Sequence, residues 1–406
     1  VKIEKVEAFL MSFPMPEEVR LPFWGGLRTI VKRDAMLIRI STDTELVGYA
    51  PGPAHERALR EINGEIGEFL EGRDPLDWKE FNFSGGLELK KTYHACEVAL
   101  IDLASKYEGV PISELMGGRK RDRIKLYGSA GMYMSPKKYA EEAAAIKEMG
   151  FQGYKMRPAL GPEEDLRTLE LMRKACGTDM AIMIDAHTWW RMGNNSYTPE
   201  TIAELSRSMA AYRPYWLEEP LPPEDHRAYK RLKNRGYVDI ASGEHEQDLA
   251  GFENLANMKA VDFLQMDVCC QGGFEMGLKV FDLAAANHLK FAFHSWGTML
   301  EVLAAAQLGI CRNEEVVEWL EYPCYAYPDR KGMYPFPLSD DILADELDIS
   351  DGYLRVPDTP GLGIGINEKV INEYPFIPGP WSFFHQESPK ETIAVTGDHS
   401  IKWLES

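Results

Sequence analysis

Residues 181–187 (AIMIDAH), 215–220 (YWLEEP) and 238–244 (VDIASGE) are short apolar runs that carry a carboxylate at or near their ends, each followed by a polar turn and an amphipathic stretch. The same grammar extends outward to runs at 124–130, 153–158, 263–269, 290–296 and 316–322. Strands that alternate with helices pair in parallel, and eight of them between residues 123 and 322 imply a closed barrel rather than an open sheet. Ser135-Pro136 and Thr198-Pro199 read as an N-cap followed by proline at the first helical position. Gly150 is placed to end the first helix. No glycine-rich dinucleotide fingerprint follows the first strand, which speaks against a Rossmann arrangement.

The flanks follow other rules. Residues 2–10, 35–40 and 45–50 alternate like antiparallel strands, and 54–116 read as helical with 96–107 apolar on one side. The expected organisation is an α+β capping domain over 1–122, then a TIM-type (β/α)7β barrel over 123–322. A proline- and aromatic-rich segment, 323–406, is expected to pack back on the cap and complete it. Residues 381–406 show no periodicity.

A net charge of −19 over 406 residues argues against a nucleic-acid partner, since phosphate binding needs a basic surface. An anionic small molecule is still admissible, because a bound cation reverses the local field. No apolar run is long enough for a membrane span, and residues 1–5 lack the basic start and apolar stretch of a signal peptide. A soluble cytoplasmic protein is expected. The six cysteines form no CxxC and read as reduced, structural thiols.

Chemistry-bearing residues gather at strand ends. Asp185, Glu218 and Glu244 close the third, fourth and fifth strands; Asp267, His294 and Glu321 fall near the ends of the sixth, seventh and eighth. In this architecture active sites are built on that rim. One such acid alone is as readily a helix cap; three on adjacent strands point further. Converging carboxylates repel and lose solvation, a cost that a divalent cation removes, and all-oxygen ligation suits magnesium or manganese better than zinc. Lys155 and Arg157 are two residues apart and share a strand face, which points inward because helices cover the outside. Asp267 beside His294 would fix the imidazole tautomer and raise its basicity. Glu321, if protonated, could donate to a developing enolate oxygen.

Ala99-Leu-Ile-Asp102-Leu-Ala, the segment from Gly109-Val-Pro111 to Gly118, Ile184-Asp185, Trp216-Leu-Glu218-Glu219-Pro220, Ser242-Gly-Glu244-His245-Glu246, Gln265-Met-Asp267, His294 and Trp319-Leu-Glu321 occur in this order. Together they resemble the mandelate racemase-like branch of the enolase superfamily, whose pattern combines a lysine or histidine base with bound magnesium. Leu221-Pro-Pro-Glu-Asp225 is also similar to the acid-sugar dehydratases of that branch. The resemblance implies that Asp185, Glu218 and Glu244 hold Mg2+, that Asp267 and His294 form the base dyad, and that Glu321 binds the substrate carboxylate or its enolate. Glu219 is expected to point away. Cap loops near 21–26 and 50–54 would select the substrate, with Trp24 and Pro51 as candidate contacts, and a homo-oligomer is implied.

One departure decides between activities. Racemases and cycloisomerases of the family commonly carry Lys-x-Lys on the second strand, where this chain has Lys155-Met-Arg157. Arginine keeps its proton, so two-base racemisation loses a participant, while Arg157 can still hold a carboxylate or hydroxyl. His187 lies two residues past Asp185, on the same face if the strand continues; some of the family's dehydratases place a general acid there. The expected activity is dehydration of an acid sugar, a small carboxylate, to a 2-keto-3-deoxy acid. The alternative is a racemase or epimerase using Lys155 as a second base. A non-catalytic metal-binding paralogue is disfavoured by retention of ligands, dyad and Glu321 together.

Overall fold

In the computed structural model, which describes residues 1–158, 160–326, 333–387, 392–397 and 401–404, the chain opens with a long antiparallel hairpin. Its strands are β1 (Ile3–Phe23) and β2 (Gly26–Thr42), joined by Trp24-Gly25 with Gly25 at φ +83°, a left-handed conformation that favours glycine. Both strands are longer than their alternation suggests. Pro14, Pro16, Glu17 and Glu18 break the pattern, and the register slips between Pro14 and Val19 on what is an edge strand, where bulges and proline are tolerated. β3 (Val47–Pro51) adds to β2. α1 (Leu87–Glu108) ends on left-handed Gly109. Its buried Asp102 accepts from the backbone N–H groups of Tyr49 and Leu362, each at 2.9 Å, and from Lys106 Nζ at 2.6 Å. One carboxylate thereby joins the cap sheet, the helix and the C-terminal segment.

The barrel strands are β4 (Arg123–Met132), β5 (Gly153–Arg157), β6 (Ala181–Asp185), β7 (Trp216–Glu218), β8 (Ile240–Ser242), β9 (Phe263–Met266), β10 (Lys290–Phe293) and β11 (Val317–Pro323). All pair in parallel, and β11 closes on β4. Between them run α2 (Pro136–Glu148), α3 (Pro162–Cys176), α4 (Pro199–Met209), α5 (His226–Lys233), α6 (Leu249–Met258), α7 (Gly273–Ala286) and α8 (Met299–Gly309). Thr198 caps α4 by accepting from the N–H of Thr201; Ser135 makes no such bond, so Pro136 alone marks the start of α2. Gly150, at φ +94°, follows the end of α2. Strands β6 to β10 stop two or three residues short of the runs read from the sequence. Their apolar pattern continues into the loops that carry the rim residues.

Tyr127, Met183, Trp216, Ala241, Phe263, Ala292 and Trp319 fill the barrel interior as an apolar plug. Burying aromatic surface there is strongly stabilising. Past the barrel, β12 (Ile349–Ser350) and β13 (Tyr353–Arg355) extend the sheet antiparallel to β4. β14 (Ser382–Gln386) pairs with β2, β15 (Thr392–Val395) with β14, and β16 (Ile401–Leu404) with β15. The aperiodic tail is thus part of the cap sheet, while its residues 388–391, 398–400 and 405–406 lie outside the described set. Among the described residues no helix is long and apolar enough to cross a membrane.

Candidate active site at the barrel mouth

Strand ends bring Lys155, Arg157, Asp185, Glu218 and Glu321 into one buried cluster. Lys155 Nζ lies 2.6 Å from Glu218 Oε1, 2.9 Å from Glu321 Oε1 and 3.8 Å from Asp185 Oδ2. Burial alone would lower its pKa, but the surrounding carboxylates raise it well above the ordinary lysine value. Arg157 Nε is 3.1 Å from Asp185 Oδ2 and its Nη2 3.4 Å from Glu321 Oε1; its guanidinium stacks 3.8 Å from the Trp296 ring centre. Asp185 Oδ1 lies 2.5 Å from His187 Nδ1. Against the effect of burial, His187, Arg157 and Lys155 hold Asp185 well below the usual carboxylate range.

Glu321 is saturated with donors. Oε1 accepts from Ser129 Oγ at 2.6 Å and Oε2 from the Ser295 N–H at 2.9 Å, in addition to the two cations. Burial pushes its pKa up, yet Lys155, His294 and Arg157 bring it down to about 2. These surroundings stabilise the carboxylate rather than the protonated form that donation to an enolate oxygen would need. Glu218 behaves oppositely. Burial, with repulsion from Asp185, Glu244 and Glu321, outweighs Lys155 and raises it to about 8.

Across the mouth the contacts loosen. His294 Nδ1 lies 3.2 Å from Asp267 Oδ2, and its Nε2 3.5 Å from Glu244 Oε2. Asp267 Oδ1 accepts from the N–H groups of Cys269 and Cys270, each at 3.0 Å, which fixes the carboxylate against the imidazole. Burial lowers the His294 pKa, but Glu244 and Asp267 raise it to about 10.

Two placements differ from the sequence reading. His187 does not continue β6; it begins a single 3-10 turn, His187–Trp189, that folds its ring back onto Asp185. Glu219 does not simply turn away. At φ +43° it leaves the strand, and its carboxylate lies 2.6 Å from His245 Nδ1. Glu219, Glu244 and His245 bring ligand-type atoms to within 4.8 Å of one another, as do Asp267, Cys270 and Glu301, whereas the expected Asp185, Glu218 and Glu244 are not grouped in this way. Lys155 and Arg157 supply counter-charge to Asp185 and Glu218 instead, and His294 and His245 lie beside Glu244. The expected donors nevertheless fit a hard divalent cation. All are carboxylates, Glu244 Oε2 is buried without a hydrogen-bond partner, and mutual repulsion raises Glu218.

Trp24 sits at the hairpin tip, 46% exposed, with its ring against Gly161 after β5, and Gly25 faces Asn195 after β6. The tip thus lies over loops of the barrel mouth. Pro51 is buried at the end of β3 opposite Leu37. Residues missed from the sequence include Ser129, Trp296, His245 and Glu301. Only adjacency to His294 or Glu244 could have flagged the middle two.

Comparison with known proteins matches residues 138–370 to a family model described as enolase C-terminal domain-like. The chain is 29% identical to D-galactarolactone cycloisomerase of Agrobacterium fabrum, covering 92% of this chain and 99% of the relative. It is 30% identical to arabinonate dehydratase of Saccharolobus solfataricus over 68% of this chain and 70% of the relative. D-gluconate dehydratase of Thermoproteus tenax is 28% identical over 84% of this chain and 69% of the relative. Among solved structures, 3,6-anhydro-D-galactonate cycloisomerase of Zobellia galactanivorans superposes with a TM-score of 0.76 at 28% identity, covering 92% of this chain and 99% of that one.

Proposed function

The chain belongs to the enolase superfamily, and on that premise we propose that it is a magnesium-dependent acid-sugar dehydratase, which removes the proton α to a carboxylate and expels the β-hydroxyl as water. The observation that carries this is the asymmetry of the two basic positions. Lys155 is fully buried and locked among three carboxylates, so its Nζ is closed to a substrate carbon. His294 is partly open, with Asp267 behind one nitrogen and the other directed to the mouth near Glu244. Racemisation needs acceptors on both faces of a planar intermediate; elimination needs one.

Asp185, Glu218 and Glu244 would hold the magnesium ion. When bound, the ion supplies positive charge toward the substrate carboxylate, where negative charge builds as the proton leaves. Glu244, the chief charge raising the His294 pKa, would be engaged by the ion; neutral His294 then takes the α-proton on Nε2, while its Nδ1–H donates to Asp267 Oδ2 and the tautomer stays fixed. Ionised Glu321 anchors Lys155 and Arg157, so two fixed cations face the substrate's acid end. The departing hydroxyl receives a proton from His294 or from His187, held through Nδ1 by Asp185. The product enol then tautomerises to a 2-keto-3-deoxy acid.

A second reading is favoured by two relatives matched over nearly their full length that are cycloisomerases. If the β-oxygen belongs to a ring, the same proton removal opens the ring and releases no water. Screening open-chain acid sugars beside their lactones and anhydro acids for keto-acid formation separates the two. Turnover of open acids, lost in EDTA and restored by Mg2+, is expected. Turnover of ring substrates alone selects the second reading, and metal-independent turnover contradicts both.

A further inference from the structure

Resting on that reading, we infer that Arg28 and Arg33 form an anion subsite between cap and barrel that binds a second carboxylate at the far end of the substrate, so that the substrate is a sugar diacid, an aldarate rather than an aldonate.

Both arginines come from β2 of the cap and both are more than nine-tenths buried, Arg28 being 7% and Arg33 3% exposed. Among the described residues neither forms an ion pair. The adjacent Asp34 is taken by Lys32 at 2.9 Å and Ser12 Oγ at 2.7 Å. Nε and Nη2 of Arg33, and Nε of Arg28, are buried without a hydrogen-bond partner. Stacking accounts for the flat faces. Arg28 lies over Trp381 at 4.9 Å and Phe384 at 4.8 Å; Arg33 lies over Tyr334 at 4.4 Å and Trp381 at 4.8 Å. Stacking engages a guanidinium through its face and leaves the N–H edge for a carboxylate. Two neighbouring buried cations with unused donors are costly unless an anion completes them.

Their position faces the reaction. Arg28 Nη1 is 3.2 Å from Met132 Sδ, and Met132 is in register with Arg157 across β4 and β5. Tyr334, under Arg33, lies 4.2 Å from Trp296 with the rings tilted by 36°, and Trp296 in turn lies 3.8 Å from Arg157. Met132 beside Arg28, and Tyr334 with Trp296 beside Arg33, therefore link the cap arginines to the cationic floor of the site. A chain with a carboxylate at each end can meet positive charge at both.

The test pairs substrates that differ only in the far end: galactarate with galactonate and glucarate with gluconate, assayed with Mg2+. A charged hydrogen-bonded contact should favour the diacid by about tenfold to a hundredfold in kcat/KM. Arg33→Met and Arg28→Met should shrink that ratio by about the same factor, mainly through KM, with Arg33→Lys retaining part of it. Calorimetric binding of galactarate to the wild type and Arg33→Met separates this inference from the dehydratase reading. If no acid is turned over yet Arg33→Met weakens galactarate binding tenfold or more, the subsite stands and the reaction is wrong. Equal or better use of the aldonates overturns the diacid. So does a preference for 6-phosphogluconate, no binding of galactarate, or a lowered Tm with an unchanged ratio, which would make the arginines packing residues only.

Discussion

On one side of the barrel mouth, β5, β7 and β11 carry Lys155, Glu218 and Glu321 with fully buried side chains, and their closest contacts are 2.6 to 2.9 Å. On the other side, Asp267 and His294 follow β9 and β10, their contact is 3.2 Å, and the His294 side chain is 23% exposed. The closed side spends its hydrogen-bonding capacity on itself and fixes charges where they cannot move. The open side leaves a ring nitrogen available where a substrate can arrive. On the proposed function, positioning and proton transfer are divided between the two halves of one rim.

The division breaks most visibly at its buried cation. Lys155→Met removes the counter-charge from Glu218 and Glu321, and should cost about 3–5 kcal/mol of stability in denaturant melts, as for other broken buried pairs. An equal loss in His294→Asn would erase the contrast, because that side chain is partly exposed and loosely held.

Metal binding sharpens it next. Mg2+ at a hundred times its Kd should stabilise EDTA-treated protein by about 2.7 kcal/mol. Glu218→Gln and Glu244→Gln should each abolish most of that gain, since one ligand comes from each side. An undiminished gain would remove these residues from the ligand set.

Acidity separates the two carboxylates of the closed side. Glu321, lowered from 4.5 to about 2, contributes stability that is complete above pH 4.5 and lost as pH falls toward 2. Glu218, raised from 4.5 to about 8, costs stability as pH rises from 4.5 through 8 in metal-free protein. Melts of Glu218→Gln should lose the upper slope, and melts of Glu321→Gln the lower one.

The smallest expected stability effect lies at the cap tip. Trp24→Ala should change stability by less than about 1 kcal/mol, since the ring is half exposed, and should act chiefly on kcat/KM. A large fall in Tm with unchanged kinetics would make Trp24 a packing residue.

The barrel was readable because its strands are apolar runs separated by capped helices, and rim residues are by construction those at the run ends. Asp185, Glu218, His294 and Glu321 follow from that alone. The hairpin was foreshortened because its middle carries prolines and glutamates that obey no alternation. His187 and Glu219 were misplaced because period-two reasoning fails where the backbone leaves the strand, into a 3-10 turn or a positive φ. The protonation state of Glu321 could not be read from the sequence because its donors, Ser129 and the Ser295 N–H, come from β4 and the loop after β10, and no local pattern announces them. Arg28 and Arg33 look like surface charges in the sequence, since nothing local shows that a tail strand and Trp381 cover them.

The division between fixed and reactive sides is tested most directly in His294→Asn, with wild type and variant followed in deuterium oxide on whichever acid sugar is turned over. The account predicts that keto-acid formation and α-deuterium incorporation both vanish in the variant while Mg2+-dependent stabilisation persists, and that wild type converts one C2 epimer without producing the other. Continued α-exchange in His294→Asn, or rapid interconversion of the epimers by wild type, would show that Lys155 accepts protons and would contradict it.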